Sequence, residues 1–205
     1  MKRKVYFFGK RLIDFFGGIV AIIIFFPTSL FIALSIKIED GGKIFFKQKR
    51  VGQNGKIFYM WKFRSMVEDA ETLKGDLIKN QSANEIRFKM KDDPRVTNVG
   101  KFIRKRSLDE IPQFINVLKG EMSLVGPRPG LPEEYAEYSK EDAGRLMVSP
   151  GLTGLWQVSG RSNLTYSQMI ELDLEYVRRC SLWLDIKILI ATVIQMFAVE
   201  NNGAY

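Results

Sequence analysis

The most prominent feature of the sequence is an uncharged apolar stretch near the amino terminus. Residues 15–36 contain no Asp, Glu, Lys or Arg, and their only proline or hydroxyl side chains are Pro27, Thr28, Ser29 and Ser35. A helix of this length covers about 33 Å at 1.5 Å per residue, which matches the hydrocarbon core of a bilayer. The pattern therefore predicts a segment that lies in or on a membrane.

The residues around this stretch predict that both of its ends face the same side of the membrane. Cations lie on each side of it: Lys2, Arg3, Lys4, Lys10 and Arg11 before it, and Lys37, Lys43, Lys47, Lys49 and Arg50 after it. Positive residues favour the cytoplasmic face. Pro27 removes a backbone donor near the middle and favours a kink. We predict that residues 1–40 form a helix-break-helix that enters and leaves the same leaflet, with a simple span as the alternative.

The remaining residues, 41–205, have patterns of a compact unit of the α+β class that is predominantly helical. Strand patterns at 44–50 and 57–63 flank Asn54-Gly55, a dipeptide that favours a hairpin turn. The other patterns predict helices at 66–80, 99–105, 107–118, 132–142, from Thr165 to about Arg179, and at 182–199, with loops at 81–93, 126–130 and 150–154. The last helix carries polar residues within an apolar run, which is typical of a helix lying at an interface.

The composition restricts the chemistry that the protein can perform. The chain has no histidine, which excludes imidazole acid–base catalysis, Ser-His and Cys-His nucleophiles and His-ligated metals. The single cysteine, Cys180, excludes an intramolecular disulfide. The formal net charge of +8 predicts a polyanionic partner, which is a phospholipid surface, a nucleic acid or a phosphorylated substrate.

The candidate catalytic stretch is residues 101–113, where a cluster of cations directly precedes the adjacent carboxylates Asp109 and Glu110. One interpretation is structural, because Ser107 and Glu110 have the spacing of a helix capping box. The other is catalytic, because an aspartate can attack phosphorus to form an acyl phosphate while cations and Mg²⁺ neutralise the phosphoryl oxygens. Both interpretations are compatible with the spacing.

Further cations lie where they can contact a phosphate. Arg128 lies between Pro127 and Pro129, so its backbone is stiff and its guanidinium loses little entropy when it binds phosphate. Arg161 follows a glycine in a second loop, and Lys62 lies near the end of a predicted strand. For each of them a solvated surface cation is the alternative interpretation.

Taken together, these stretches resemble the bacterial sugar transferase family, the monotopic polyprenol-phosphate phosphoglycosyl transferases. The resemblance covers nearly the whole chain through ordered motifs: QKRVG at 48–52, WKFRSM at 61–66, DPRVT at 93–97, SLDEIPQ at 107–113, MSLVGPRP at 122–129 and PGLTGLWQVSGR at 150–161. It implies transfer of a phosphosugar from a UDP-sugar to undecaprenyl phosphate with release of UMP. It also implies a ping-pong path through a phosphosugar ester on an aspartate, with Mg²⁺ as cofactor.

Position by position, the resemblance assigns roles to the candidate residues. It implies that Asp109 is the nucleophile and a metal ligand, and that Glu110 is its catalytic partner. Phosphate-contacting roles are implied for four cations: Arg104, Arg128, Lys62 and Arg161. A re-entrant anchor kinked at Pro27, followed by a cytoplasmic catalytic domain at 41–205 with interfacial helices, is similar to the family's architecture.

The resemblance also implies a location and partners. The protein is expected at the cytoplasmic face of the bacterial inner membrane, as a monotopic enzyme of the first membrane step in capsule, exopolysaccharide or O-antigen synthesis. No nucleic-acid partner is expected, because the basic residues do not alternate with stacking aromatic residues. The donor sugar stays open, as does the oligomeric state, with a homodimer as one alternative. A non-catalytic membrane-tethered scaffold or basic binding protein is the alternative function.

The sequence departs from the family pattern at two points. Many relatives have an arginine immediately before the Pro-Gly-Leu-Thr-Gly loop, where this chain has Ser149, so a cation near the site is absent or is supplied from elsewhere. Larger relatives also carry additional membrane helices, whereas this sequence starts at the anchor. It therefore resembles a minimal catalytic form or an excised domain.

Overall fold

The protein begins with a single long helix in the computed structural model, α1 (Lys2–Asp40), and Pro27 lies inside it. The predicted break at Pro27 is therefore wrong as a description of secondary structure. A proline removes one backbone N–H and crowds one carbonyl, which bends a helix but does not end it where neighbouring turns keep their hydrogen bonds. By length and composition α1 can cross a membrane, and only 11% of its most apolar part is buried inside the protein.

The structure describes residues 2–70, 72–73, 93–160 and 163–197. Most of the predicted helix at 66–80 and of the predicted loop at 81–93 lies outside these ranges, as does Arg161. Met66, at the start of that predicted helix, forms an isolated antiparallel bridge with Val96 instead.

The predicted hairpin is confirmed. Strand β1 (Phe45–Val51) pairs antiparallel with strand β2 (Ile57–Phe63), and a short 3₁₀ turn joins them. Asn54 and Gly55 both have positive φ in this turn, at 56° and 76°, which is the backbone that this dipeptide adopts most readily.

Two short helices follow the hairpin along the chain. Helix α2 (Asn98–Lys105) begins at Thr97, whose side chain accepts a hydrogen bond from the Gly100 amide. Helix α3 (Gln113–Lys119) ends at Gly120 in the left-handed conformation (φ 81°), as the Lys-Gly pair predicts. The basic helix predicted at 99–105 is confirmed.

The helix predicted at 107–118 is wrong in its first half. Residues Leu108–Glu110 form a 3₁₀ turn, and Ser107 before them is left-handed and makes no capping hydrogen bond. The capping box fails because the Glu110 carboxylate is bound by Lys62 from β2 rather than by the Ser107 amide. A long-range ion pair has replaced the local one that the spacing favours.

Two three-residue strands, β3 (Ser123–Val125) and β4 (Gly151–Thr153), form a parallel pair that the sequence did not reveal. β4 occupies most of the loop predicted at 150–154, because a strand this short carries no readable alternation. A Cβ atom on Gly126 or on Gly151 would overlap the backbone of the other segment. The glycines therefore permit the close approach of these two chains.

The acidic helix predicted at 132–142 is shorter than expected. Helix α4 (Pro132–Ala136) is followed by a separate 3₁₀ turn, Asp142–Met147, and helix α5 (Leu155–Ser159) comes directly after β4. The loop at 126–130 is extended, as its prolines predict.

The chain described ends in two longer helices. Helix α6 (Tyr166–Arg179) begins with the predicted capping box between Thr165 and Gln168. Helix α7 (Leu182–Phe197) is the predicted apolar helix. The α+β, mostly helical class is confirmed, and membrane anchoring stays a prediction.

The first half of α1 is attached to the rest of the protein by buried polar contacts. Lys10 Nζ lies 2.9 Å from Asp185 Oδ2 of α7, and both side chains are almost fully shielded from solvent. Asp14 accepts hydrogen bonds from Ser123 Oγ and from the Leu124 amide, each at 2.9 Å. These contacts fix the amino-terminal arm of α1 against α7 and β3.

The carboxyl-terminal end of α1 is attached to the same body by more exposed polar contacts and by apolar packing. Glu39 Oε1 accepts a hydrogen bond of 2.7 Å from the Asn98 amide, at the start of α2, and Asp40 forms an ion pair with Arg64. Ile36 packs with residues of β2 and α2 in a buried apolar cluster. Both ends of α1 therefore contact one and the same folded body.

Gly100 tests how α2 packs. In an exposed helix interior, alanine is more favourable than glycine by up to about 1 kcal/mol. At Gly100, however, a Cβ atom would overlap the backbone carbonyl of Ser65. We therefore expect Gly100→Ala to lower the free energy of unfolding, by about 1–3 kcal/mol, as measured by urea unfolding of the detergent-purified protein.

The matched control is Lys101→Ala, the adjacent exposed position of the same helix, which should change the free energy of unfolding by less than about 0.5 kcal/mol. A stabilising Gly100→Ala substitution would show that α2 does not lie against Ser65.

Candidate functional site

The two candidate carboxylates lie in the 3₁₀ turn between α2 and α3. Ser107, just before the turn, has φ 54° and ψ 22°, a left-handed backbone that costs a non-glycine residue about 1–2 kcal/mol. The reversal lets the chain change direction sharply. It leaves Asp109 buried, with 8% of its surface exposed.

Strand β2 supplies the cation that neutralises this pair. Lys62 Nζ lies 2.7 Å from Glu110 Oε1 and 3.6 Å from Asp109 Oδ2. One ammonium group thus contacts both carboxylates from a strand 48 residues away from Glu110 in the sequence. Lys62, Asp109 and Glu110, all predicted site residues, are brought together.

The surroundings make the two carboxylates unequal. Burial raises the pKa of Asp109, and the positive charges of Lys62 and Arg104 offset this only in part. Burial alone would also raise the pKa of Glu110, but Lys62 and Arg128 outweigh it and hold that pKa well below its usual range. Glu110 is therefore the firmly ionised partner of Lys62, and Asp109 is the more basic carboxylate.

The loop that carries Arg128 is held by an unbroken series of hydrogen bonds. Four successive carbonyls accept one each: Pro127 O from Gly151 N (2.8 Å), Arg128 O from Arg145 Nη2 (2.9 Å), Pro129 O from Arg50 Nη1 (3.0 Å) and Gly130 O from Val51 N (3.0 Å). The two prolines are buried while the Arg128 side chain is exposed. Among the described residues, no carboxylate forms an ion pair with Arg128. The loop therefore presents a free guanidinium on a fixed backbone.

Arg145 and Asp173 support this loop from behind, and the sequence analysis missed both. Arg145, 6% exposed, forms an ion pair with Asp173, which is fully buried. Its guanidinium also donates to Tyr138 Oη at 3.0 Å. A sequence signal existed, because Asp173 lies between Ile170 and Val177 on the buried face of α6, and a carboxylate at a core position needs a partner.

Arg50 is a third residue that the sequence analysis missed. It is 6% exposed, and burial together with the nearby charge of Arg128 lowers its pKa to about 10. With Glu110, Gln113, Arg128 and Gln157 it lines a small cavity beside the carboxylates. The signal was its place in the QKRVG motif, but the sequence of the strand does not reveal which of its three cations, Lys47, Lys49 and Arg50, is buried.

The other predicted site residues have varied outcomes. Arg104 is exposed at the end of α2, and its positive charge helps to lower the pKa of both Asp93 and Asp109. Arg161 lies outside the described residues. Ser149 Oγ donates to Gln53 Oε1 at 3.1 Å and does not line the cavity beside Glu110.

The two carboxylates suit one of the two ways in which proteins bind magnesium. No group of three or more His, Cys, Asp or Glu residues lies close enough to hold a metal within the part of the chain that the structure describes. Mg²⁺ is commonly held by one or two carboxylates, with water and substrate phosphates completing its shell. Asp109 and Glu110 therefore suit an ion that arrives with a phosphorylated substrate, rather than one held by protein alone.

Comparison with known proteins gives a consistent result. A family model described as "Bacterial sugar transferase" matches residues 5–199. The chain is 48% identical to the galactosyl transferase CpsE of Streptococcus agalactiae over 185 residues. These aligned residues are 90% of this chain and 41% of that protein. The chain is also 43% identical to the undecaprenyl-phosphate galactose phosphotransferase of Salmonella typhimurium over 202 residues. These aligned residues are 97% of this chain and 42% of that protein.

A shorter relative matches over most of its own length. The exopolysaccharide production protein ExoY of Rhizobium meliloti is 40% identical over 188 residues, which are 90% of this chain and 83% of that protein. The chain spans less than half the length of the two larger relatives. The match therefore covers the part that all these proteins share.

The Arg145–Asp173 pair provides a stability test of the support behind Arg128. Arg145→Met would leave the Asp173 charge buried without a partner, and loss of one member of a buried pair costs about 3–5 kcal/mol. We expect a loss of that size in the free energy of unfolding, measured by urea unfolding. The double substitution Arg145→Met with Asp173→Leu should recover most of it.

The matched control is Arg179→Met, which removes an exposed arginine paired with Glu175 on the same helix as Asp173. Its effect should be below about 1 kcal/mol, because exposed ion pairs contribute little. Equal losses for Arg145→Met and Arg179→Met would contradict the buried support.

Proposed function

Since the chain belongs to the bacterial sugar transferase family, we propose that it transfers a phosphosugar from a UDP-sugar to undecaprenyl phosphate, through an intermediate on Asp109. The substrates named for its relatives agree with this, for example in the undecaprenyl-phosphate galactose phosphotransferase and in the UDP-glucose:undecaprenyl-phosphate glucose-1-phosphate transferase of Escherichia coli. The name of another relative, the exopolysaccharide production protein ExoY, supports a place in exopolysaccharide synthesis.

The observation that supports this proposal most directly is the geometry of the two carboxylates. Asp109 is buried, with 8% of its surface exposed, and Lys62 Nζ lies 3.6 Å from Asp109 Oδ2 but 2.7 Å from Glu110 Oε1. Burial also raises the pKa of Asp109, and a more basic carboxylate is a stronger nucleophile. The chain has no histidine, so a carboxylate nucleophile that needs no separate base suits the residues available.

In the first half-reaction, a carboxylate oxygen of Asp109 attacks the phosphorus that carries the sugar. The bond from that phosphorus to the bridging oxygen breaks, and UMP leaves with the electron pair. Arg128 and Arg104 face the site with free positive charge that can neutralise the phosphoryl oxygens. Lys62 keeps Glu110 ionised and also contacts Asp109.

In the second half-reaction, a phosphate oxygen of the lipid attacks the same phosphorus. The bond from phosphorus to Asp109 breaks, the carboxylate is restored, and the lipid diphosphate sugar departs. Mg²⁺ bound by Asp109 with the substrate phosphates would supply charge neutralisation in both steps.

We also propose that α1 is a re-entrant anchor at the cytoplasmic face of the inner membrane. Both of its ends are fixed to one folded body, while large apolar residues in its middle are mostly exposed: Phe16, Ile23, Ile24, Phe26 and Phe31 are each 62–68% exposed. A helix that crossed the bilayer would have its two ends on opposite sides. The arrangement favours an anchor that keeps the site at the headgroup plane, where the lipid phosphate lies.

Asp109→Asn tests the nucleophile. We expect turnover to fall by roughly a thousandfold or more, because the amide cannot form the acyl phosphate. The measurement is UMP release from a panel of UDP-sugars by detergent-purified protein with Mg²⁺ and undecaprenyl phosphate. Without the lipid, mass spectrometry of the native protein should show a sugar-phosphate adduct on Asp109.

Asp69→Asn, an exposed carboxylate on a neighbouring segment, serves as the control and should leave turnover unchanged. Substantial UMP release by Asp109→Asn would refute the assignment of the nucleophile. No UMP from any donor with the folded wild-type protein would favour a non-catalytic scaffold.

The topology of α1 can be tested by cysteine labelling. In a Cys180→Ser background, Lys4→Cys and Lys43→Cys place one thiol before and one after the apolar segment. Both thiols should react with a membrane-impermeant maleimide in inverted inner-membrane vesicles, and neither should react in spheroplasts. Ile24→Cys, in the middle of α1, should be protected in both preparations. Labelling of Lys4→Cys and Lys43→Cys from opposite faces would establish a simple span.

A further inference from the structure

Asp109 and Arg128 are attached to two elements that meet at one corner of the fold. The turn with Asp109 continues through two residues into α3, and β3 continues through two residues to Arg128. A short connection, residues 120–122, joins α3 to β3. The separation between Asp109 and Arg128 therefore depends on the angle between α3 and β3.

Arg11 of α1 contacts the first of these elements. Its guanidinium donates to the carbonyl of Val117 at 2.6 Å through Nη1 and to that of Leu118 at 2.7 Å through Nη2. Both carbonyls lie in the last turn of α3, where the negative end of the helix dipole favours a cation. Arg11 therefore fixes the carboxyl-terminal end of α3 from a position 106 residues before Val117 in the chain.

Asp14, which lies three residues further along α1, contacts the second element. Asp14 Oδ1 accepts hydrogen bonds from Ser123 Oγ and from the Leu124 amide, so that one carboxylate oxygen binds the first two residues of β3. Asp14 and Ser123 are 5% and 1% exposed. A buried carboxylate needs such partners, so this contact fixes β3 firmly against α1.

The next turn of α1 repeats the pattern through close packing. A Cβ atom on Gly17 would lie 2.7 Å from Leu124 Cδ1 of β3, and one on Gly18 would lie 2.9 Å from Leu118 Cδ2 of α3. Both distances are shorter than an ordinary contact between carbon atoms. Glycine is less favourable than alanine inside a helix, but here it permits α1 to approach both elements closely.

The other bonds of the Arg128 loop do not provide this connection. Its four carbonyl hydrogen bonds join it to β1, to β4 and to Arg145, and none of them reaches α3 or the turn with Asp109. The first turns of α1, by contrast, contact both α3 and β3. They lie across the corner between the two elements and oppose any change in its angle.

We propose that Arg11 and Asp14 are positioning residues of the transfer reaction. By holding α3 and β3 against one helix, they fix the separation between Asp109 and Arg128. The amino-terminal part of α1 is then part of the framework of the active site, in addition to its place in the anchor. The proposal rests on the proposed function and deepens it by naming two residues outside the site on which the maximal rate depends.

Asp14→Leu and Asp14→Asn test the proposal as a pair. Leucine is similar in size and has no acceptor, whereas the amide oxygen of asparagine can still accept both hydrogen bonds. A misplacement of about 1 Å can lower a rate about a hundredfold. We therefore expect the maximal rate of adduct formation on Asp109 to fall about ten- to a hundredfold in Asp14→Leu, and Asp14→Asn to keep most of it.

The measurement is single-turnover release of UMP by detergent-purified protein, with saturating UDP-sugar and Mg²⁺ and without undecaprenyl phosphate. No lipid substrate takes part in this half-reaction, so access to a lipid does not enter the rate. Arg11 is exposed, so Arg11→Met should fold even where Asp14→Leu does not. It should lower the same rate, and Arg11→Lys should restore part of it.

Hydrogen exchange measures the position of β3 without any activity. The Leu124 amide donates to Asp14 and the Gly126 amide donates to Thr153 O at 2.8 Å. In Asp14→Leu we expect faster exchange in residues 123–131, measured by mass spectrometry after proteolysis. In Asp14→Asn the exchange of this segment should match that of the wild-type protein.

Ile170→Ala is the control for loss of stability alone. Ile170 is 5% exposed on α6, and it lines a cavity that α1 does not reach. Its unfolding temperature should fall, as for loss of a buried side chain, while the single-turnover rate and the exchange of residues 123–131 stay unchanged.

A wild-type rate in Asp14→Leu, or an equal loss of rate in Ile170→Ala, would overturn the positioning role. If the wild-type protein releases no UMP from any donor, the proposed function fails. Hydrogen exchange then still decides whether Asp14 orders β3 and the Arg128 loop.

Discussion

The contact of two adjacent carboxylates with one ammonium group is the constraint around which the site is built. Lys62 Nζ lies within 3.6 Å of Asp109, which is buried, and of Glu110, which is partly exposed. Such a counter-charge is needed because a shielded charge without one is costly. Three local features bring Lys62 to the two carboxylates: the hairpin, the 3₁₀ turn and the left-handed backbone of Ser107. The two environments differ, since the pKa of Glu110 is lowered and that of Asp109 is raised, and Asp109, the proposed nucleophile, is the more basic of the two.

Around this pair lie positive charges that are not neutralised, and these lower the stability of the folded protein. The Arg128 loop is held through four carbonyls, so its guanidinium can bind phosphate without ordering the backbone first. Arg50 Nε is shielded from solvent and has no hydrogen-bond partner among the described residues. In a purely structural core such a group would be paired or replaced by an apolar side chain.

The attachment of α1 would connect the proposed chemistry to a membrane. A buried ion pair near its amino-terminal end and more exposed polar contacts at its carboxyl-terminal end fix the helix to the folded body, while its apolar middle is exposed. If α1 is the proposed anchor, the body that carries Asp109 also fixes its distance from the headgroups. A lipid phosphate would then need only to diffuse laterally, which turns a search in three dimensions into one in two.

The sequence by itself determined the features that depend on neighbouring residues: the apolar segment, the Asn54-Gly55 hairpin, the Thr165–Gln168 cap and the Asp109-Glu110 pair beside its cations. The tertiary structure decided the rest. In the folded protein α1 continues through Pro27. Glu110 pairs with Lys62 and not with a local amide. Arg50 and Arg145 donate hydrogen bonds to the Arg128 loop. The reason is physical, because caps and turns form between residues a few positions apart, whereas a buried charge takes whichever partner the packing brings to it.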